Sequence, residues 1–471
     1  MKYIYLLLLL VLGQFAFAKT WKVGSARSYT MPSQVSTLVG NDDTVEIDAG
    51  TYNSDVAKWT ANNLVLRGVG GLAQLNSSGM ASGGKAIWVI GGNNNKVEYI
   101  EFSFCTSFDL NGAGIRSEGQ NITISHCYFH DNQNGILAGK LNPCKMIIEY
   151  SEFANNGYGD GQSHNLYIGN IDTLIFRYNY SHHAKVGHEL KSRANVNFIL
   201  YNRLSDETTG TASRSIDLPN GGTAYIIGNV IEQGPQSQNS NIIGYGLEGL
   251  INTAPNEVYA INNTLINNKT NGSFFAFQPG TSLFKGYNNI LAGAGSFVTG
   301  SFPSAIDTSN NQVSTAINSF AFVNTAVYNF HTTSASTSII NKGKNPGTAN
   351  SFSLSPVKEY VHSNNVASRC NSGTLDIGAY EYCTSTGIAN SKSSEFALFP
   401  NPSHGKIILQ SVNHQIKEIT IYNPLGVLVY NSELNLNLNL NLNLNLNPGI
   451  YIYQVKTTDD LAFKGKLIIE E

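Results

Sequence analysis

The residues best equipped for chemistry crowd into one stretch, DGQSHNLYIGNIDTLIFRYNYSHHAKVGHELKSRANVNFILYNRLSDETTGTASRSIDLPN, residues 160–220. Four of the chain's ten histidines, His164, His182, His183 and His188, fall there beside Glu189, Lys191, Arg193, Arg203, Arg214 and Asp217. Only 13% of all residues are charged, so the concentration marks the place where polar side chains have work other than solvation. Lysine among other cations is a candidate general base, because like charges favour its neutral form. Arginine beside it can neutralise a carboxylate or a developing oxyanion. Lys191 is therefore the candidate base, with Arg214 or His188 as the charge-stabilising partner. His164, Tyr167, Glu189, Arg193, Asp217 and, one segment later, Tyr245 are candidate substrate contacts. Glu189 with Asp217 is also a candidate carboxyl pair for glycoside hydrolysis, which needs two such groups about 5–9.5 Å apart. No H-E-x-x-H or C-x-x-C spacing offers a transition-metal site, and no metal ligands can be assigned.

Such a site needs elements that bring residues some two dozen positions apart into contact, and the sequence supplies them. Eight short apolar segments align by phase, with Phe102, Cys127, Ser151, Asn179, Asn202, Asn229, Asn263 and Asn289 at one shared position. The intervals are 25, 24, 28, 23, 27, 34 and 26 residues, the period of a solenoid whose repeats bury their apolar faces by stacking. Stacked asparagines can form a hydrogen-bonded ladder along such a stack. A second family of short strands (GAGIRS, NGILAG, HNLYIG, GHELKS, SRSIDL, NIIGYG, SFFAFQ) lies between the first, so each coil has at least two strands. The expected fold is all-β, a right-handed parallel β-helix. Leu190 inward would put Glu189 and Lys191 outward together, and Ile216 inward would put Ser215 and Asp217 outward on the next coil, about 4.8 Å away.

Composition fits a buried parallel sheet with Gly and Asn turns: 45 Gly, 24 Tyr and 22 Phe. A formal charge of −3 without Lys/Arg runs argues against nucleic acid or an anionic membrane as partner. Residues 1–18 read as a secretory signal peptide, with Lys2, an apolar run over Tyr3–Leu12 and small residues at Ala16 and Ala18. Export permits disulfides. Of the five cysteines, Cys370 and Cys383 bracket a short loop and form the best pair, while Cys105, Cys127 and Cys144 read as buried thiols on successive coils. Residues 19–383 then form the β-helix domain, which the stretch YNFHTTSASTSIINKG and TLDIGAYEYC would close as a cap on its open end. Residues 384–394 are a small polar linker, and residues 395–471 read as a small antiparallel β-sandwich. The seven Leu-Asn pairs at 434–447 alternate as an amphipathic strand does.

Three resemblances carry these readings further. NDDTVEIDAGTYNSDVAKWTANNLVLRGVGG is similar to the opening coils of pectate-lyase-like β-helix proteins. Phe399-Pro400-Asn401-Pro402, Gly405, Asn423-Pro424-Leu425-Gly426, Pro448-Gly449-Ile450-Tyr451 and the Lys464–Ile469 strand resemble the C-terminal sorting domain of the type IX secretion system of Bacteroidetes. That resemblance implies export through the periplasm to the exterior or cell surface, with removal of both signal peptide and sorting domain. Lys191-Ser192-Arg193-Ala194-Asn195, with Arg214 on the following coil, resembles the catalytic Lys-Ser-x-x-Asn and arginine of chondroitinase-B and alginate-lyase-type polysaccharide lyases. The resemblance implies β-elimination on a uronic-acid polymer, with calcium as a cofactor. That family's acidic calcium-ligand run is not recognisable here, so no ligands follow. The expected protein is a monomer acting on polysaccharide, with two rivals: a glycoside hydrolase, or a glycan binder or adhesin using Tyr167, Tyr245 and Phe277 as stacking platforms.

Overall fold

The computed structural model describes residues 18–253, 255–370, 373–383, 396–411, 415–423, 427–437, 439–458 and 462–470. All but the last residue of the expected signal peptide at 1–18, the expected linker at 384–394 and Pro424–Gly426 of the sorting motif lie outside the described residues. The chain divides into two compact units, 1–383 and 384–471.

The first unit is a parallel β-helix of three sheets. One sheet has ten strands, from Ala57–Trp59 to Ser296–Gly300, and it carries the GAGIRS-type segments. The other two sheets join into one 21-stranded set, because the long strands Thr44–Asn53 and Val65–Asn76 run through the corner between them. The opening residues 19–100 are thus coils of the same solenoid. Inward residues stack coil upon coil; Phe102, Phe129 and Phe153 lie 4.9 Å apart, ring over ring. Each such fully buried ring contributes about 2–3 kcal/mol relative to exposure.

The corner between the second and third sheets explains the asparagines. A left-handed residue turns the chain there, Tyr178 at φ 62°, Tyr201 at φ 55° and Gly228 at φ 68°, and the next residue points inward. Asn202 donates its backbone N–H and its Nδ2 to Asn229 Oδ1 at 2.9 and 3.0 Å, and its Nδ2 also bonds Phe176 O at 2.9 Å. The same bonds repeat through Asn263 and Asn289 to Asn311. The ladder gives the buried Phe176, Ile199, Ile226 and Ala260 carbonyls and the asparagine amides their partners, which burial demands. On the earliest aligned coil the shared position is Ile100, since Tyr128 pairs with Glu101 and so Cys127 opposes Ile100. The expectation of Phe102 there was two residues out; both residues point inward, and apolar phase alone does not separate them.

The stretch after residue 315 is not seated on the end of the stack. It straps the sides of the later coils. Phe320, Phe322, Phe330, Ile339, Ile377 and Tyr380 pack on the outward Val230, Ile266 and Ile290 of the third sheet. Leu354 and Phe352 pack on Tyr225, Ile227, Tyr259 and Ile261 of the second. The reason lies in those outer positions, which are apolar on these coils and need cover. The Cys370–Cys383 disulfide and a buried Arg369–Glu381 ion pair at 2.8 Å close the strap. Cys105, Cys127 and Cys144 are free and buried.

The second unit pairs a three-stranded antiparallel sheet (Phe396–Phe399, Lys406–Ser411, Asn439–Asn443) with a four-stranded one. Its core includes Ile407, Leu409, Ile419, Val455 and Leu467. Part of the Leu-Asn tract forms a strand against Lys406–Gln410. Leu442 and Leu444 are buried while Asn441 and Asn443 face out, as the alternation requires.

Candidate functional site

The outer face of the ten-stranded sheet carries the polar concentration, on β1 (Leu166–Ile168), β2 (Leu190–Ser192), β3 (Ile216–Leu218) and β4 (Asn241–Tyr245). Leu166, Ile168, Leu190, Ile216 and Leu218 are buried in the core, so the middle residue of each short strand points out. The parallel register then sets Tyr167, Lys191, Asp217 and Gly244 in one row across the coils. Gly244 leaves room there, because a Cβ would press on Asp217 Oδ1 at 3.0 Å and Arg214 Cδ at 3.1 Å and push both side chains aside by a few tenths of an ångström.

Asp217 is the hub. Its side chain lies 3.2 Å from Arg214 Nη1, 3.5 Å from His188 Nε2 and 3.7 Å from Lys191 Nζ. Burial raises its pKa, and the positive charges of Arg214 and Lys191 oppose the rise. Lys191 Nζ donates to Glu248 Oε1 at 2.7 Å. Arg193, just past β2, spreads its guanidinium over three acceptors: Tyr167 OH at 2.8 Å, Asn220 Oδ1 at 2.6 Å and Glu248 Oε2 at 2.5 Å. Burial works to raise the Glu248 pKa, but the hydrogen bonds from Lys191 and Arg193 outweigh it and hold the carboxyl below its ordinary range.

Two residues before each strand runs a second row, His164, His188 and Arg214. Each ring accepts the backbone N–H of the next coil on Nδ1, His188 N to His164 at 3.0 Å and Arg214 N to His188 at 3.1 Å. The rings stack at 4.8 Å. With Nδ1 committed as acceptor, the proton of each neutral ring sits on Nε2. Burial drives both histidines toward neutrality, His164 to about 3 and His188 well below its ordinary value. His188 is thus a neutral donor aimed at Asp217, not a cation for an oxyanion.

Lys191, Arg214, His188, His164, Tyr167, Arg193 and Asp217 therefore converge in one place. Glu189 and Tyr245 do not. Glu189 is 1% exposed and turned into the corner between the third and first sheets. There it accepts from Asn165 Nδ2 at 2.6 Å, Ser181 Oγ at 2.8 Å and Ala184 N at 2.9 Å. It precedes β2, so strand alternation does not govern it, and it cannot pair with Asp217 across a glycosidic bond. It belongs to a row of buried carboxyls with Asp206 and Glu232, which continues the corner ladder begun by Asn132, Asn156 and Asn165. Burial first, then the Asp206 charge, raises the Glu189 pKa well above normal; burial also lifts Asp206 to about 6 and Glu232 to about 7. Tyr245 is 1% exposed, with its hydroxyl bonded to Gly222 O, and Phe277 is equally enclosed. Neither is a surface platform, because both sit at inward positions of their strands.

Sequence reasoning missed Glu248, Asn220 and Asn241, which accepts from Arg214 Nε. A signal for Glu248 existed: the widest interval in the repeat, 34 residues from Asn229 to Asn263, marks the added loop that carries it. The donor set of this cluster, three cations against two engaged carboxylates, does not suit a calcium ion held by protein oxygens. Among the described residues no group of three or more His, Cys, Asp and Glu side chains converges as metal ligands.

Residues 59–231 match the family model described as the right-handed beta helix region, and residues 397–470 match that of the secretion system C-terminal sorting domain. No curated protein matches the sequence. Among solved structures, the pectate lyase Pel9A aligns with a TM-score of 0.50 at 13% identity, covering 77% of this chain and 96% of its own. Pectin methylesterase PemA from Erwinia chrysanthemi aligns at 10% identity and TM-score 0.32, over 63% of this chain and 92% of its own. A pectin methylesterase in complex with hexasaccharide VII aligns at 11% identity and TM-score 0.32, over 66% and 96%. The protein is a right-handed parallel β-helix of pectate-lyase-like fold whose C-terminal sorting domain marks it for export by the type IX secretion system to the cell surface or extracellular space.

Proposed function

We propose that the protein is a polysaccharide lyase that cleaves a uronic-acid-containing glycan by β-elimination. The observation that carries this reading is the row Tyr167–Lys191–Asp217 across three coils, flanked by Arg193 and Arg214. A base, two guanidinium groups and a phenol on one outer face are what the reaction needs. Arg193 neutralises the sugar carboxylate, which acidifies the proton on the adjacent carbon. Lys191, released from Glu248, is the base that takes that proton. The electron pair forms the new carbon–carbon double bond and expels the glycosidic oxygen, which is protonated by Tyr167 or water. Asp217 positions Lys191 and Arg214, holding a head from each of the two rows. The fold neighbour Pel9A is a pectate lyase, so pectate is the first polymer to try.

One observation favours a second reading, glycoside hydrolysis. Asp217 and Glu248 both contact Lys191 Nζ, at 3.7 and 2.7 Å, and their environments push their pKa values in opposite directions, the pattern of an acid and a base. The purified protein, screened on pectate, alginate and glycosaminoglycans, distinguishes the readings. Ultraviolet absorbance from an unsaturated uronate supports the lyase. Reducing ends without that absorbance support the hydrolase, and retention on a glycan without either product leaves a binding protein.

A further inference from the structure

We propose that Glu248 occupies the place of a ligand carboxylate, so that an acidic sugar enters the site by exchanging its own carboxylate for that of Glu248 on Lys191 and Arg193. The inference rests on the reading that the site receives an acidic sugar, and not on β-elimination itself.

The geometry is that of a ligand on its receptor. One carboxylate oxygen of Glu248 is 2.7 Å from Lys191 Nζ and the other 2.5 Å from Arg193 Nη2. The cations form the floor, their side chains 11% and 17% exposed, whereas the Glu248 side chain is 45% exposed and approaches from the solvent side. Its backbone is fixed. Glu248 N bonds Pro219 O at 3.0 Å and Gly249 N bonds Gly246 O at 2.8 Å. Asn252 Nδ2 reaches Ala194 O at 3.0 Å and Gly221 O at 2.9 Å. The loop therefore stays in place, and rotation of one side chain opens or fills the pocket.

Asn220 gives an independent pointer. It is 1% exposed, its Oδ1 is taken by Arg193, and its Nδ2 has no partner. A buried donor without an acceptor costs stability. Here it belongs to the side chain that holds Arg193, so a ligand with more acceptors than one carboxylate, such as an acidic sugar with its ring oxygen and hydroxyls, would complete it. A uronate that displaces Glu248 replaces both charge-assisted hydrogen bonds one for one. A neutral sugar breaks them and returns nothing, and hydrogen bonds to charged groups are the costly ones to lose.

The test is titration calorimetry at fixed ionic strength on the full chain and its E248Q and E46Q variants. Glu46 pairs with Arg67 on another sheet and controls for net charge. The probes are oligogalacturonate, oligoalginate, a hyaluronan oligosaccharide and the methyl ester of oligogalacturonate. We expect E248Q to bind at least one acidic probe about tenfold tighter than wild type, roughly the value of one charged hydrogen bond. The gain is smaller on the ester, and it disappears in K191A/E248Q. Unchanged or weaker binding of every acidic probe by E248Q, an equal gain on the ester, or no binding by any protein overturns the inference. An E248Q gain without unsaturated product from any polymer would sink the lyase reading while leaving this one standing.

Discussion

The buried carboxyl row makes stability depend on pH with a sign opposite to that of surface ion pairs. Glu232 is 1% exposed and holds its proton up to about 7, against 4.5 for the ordinary side chain, because burial penalises the charged form. Asp206, which faces it, holds on to about 6. The folded chain therefore binds more protons than the unfolded chain over this range. The stabilisation is complete below the unfolded values near pH 4 and is lost as pH rises through the folded ones. Each group alone corresponds to about 3 kcal/mol; the two interact, so together they give about 3–5 kcal/mol. E232Q isolates the effect. Glutamine is neutral at every pH and keeps a carbonyl for Ser205 Oγ, Asp206 N and Glu207 N, while the exposed Asn268 can turn its amide to match. Urea unfolding from about pH 4 to about pH 8 should show E232Q and wild type alike at the acidic end, with the variant about 3 kcal/mol more stable at the other. If E232Q is the less stable protein near pH 8, burial is not what governs these groups and the argument fails.

Other outcomes follow from single contacts. K191A should cut turnover on the cleaved polymer by about 10²–10⁴-fold with little change in melting temperature, and full retained turnover would remove Lys191 as the base. N229A should cost about 3 kcal/mol or more in urea unfolding, because Ile199 O and Asn202 N lose their partners in a fully buried turn; a cost under about 1 kcal/mol would mean that the ladder is decorative. Y245F should lower stability by about 1 kcal/mol through its bond to Gly222 O and leave glycan affinity unchanged in the same calorimetric assay, whereas a lost affinity would restore Tyr245 to the surface.

The solenoid was legible because its period, its inward apolar phase and its asparagines all repeat. Once the stacking was known, Lys191 and Asp217 followed from strand alternation, since each sits between inward neighbours. Glu189 and the two histidines escaped that logic because they lie before the strands, where turn geometry and backbone N–H groups of the next coil decide orientation. Glu248 was missed for a different reason: the widest interval marks its loop, but the residue reaches Lys191 across 57 positions from irregular chain, and the repeat does not say which loop residue does so. The strap was misplaced because its apolar residues announce that they cover something, and only the outward-facing Val230, Ile266 and Tyr225 show what.

That strap gives the rod a direction. A plain stack of coils frays equally from either end, one repeat at a time. Here Val357 N binds Tyr201 OH at 3.1 Å, Ala379 N binds Thr264 Oγ1 at 3.0 Å and Lys344 N binds Asn288 Oδ1 at 3.0 Å, lashing the tail of the unit to coils laid down up to 156 residues earlier. The later coils can open only together, after the lashing lets go. The first coils, from Thr20–Val23 onward, are left to peel singly. Proteolysis and mechanical pulling will therefore consume this rod from its amino end, and the face that carries Lys191 sits on the side that holds longest.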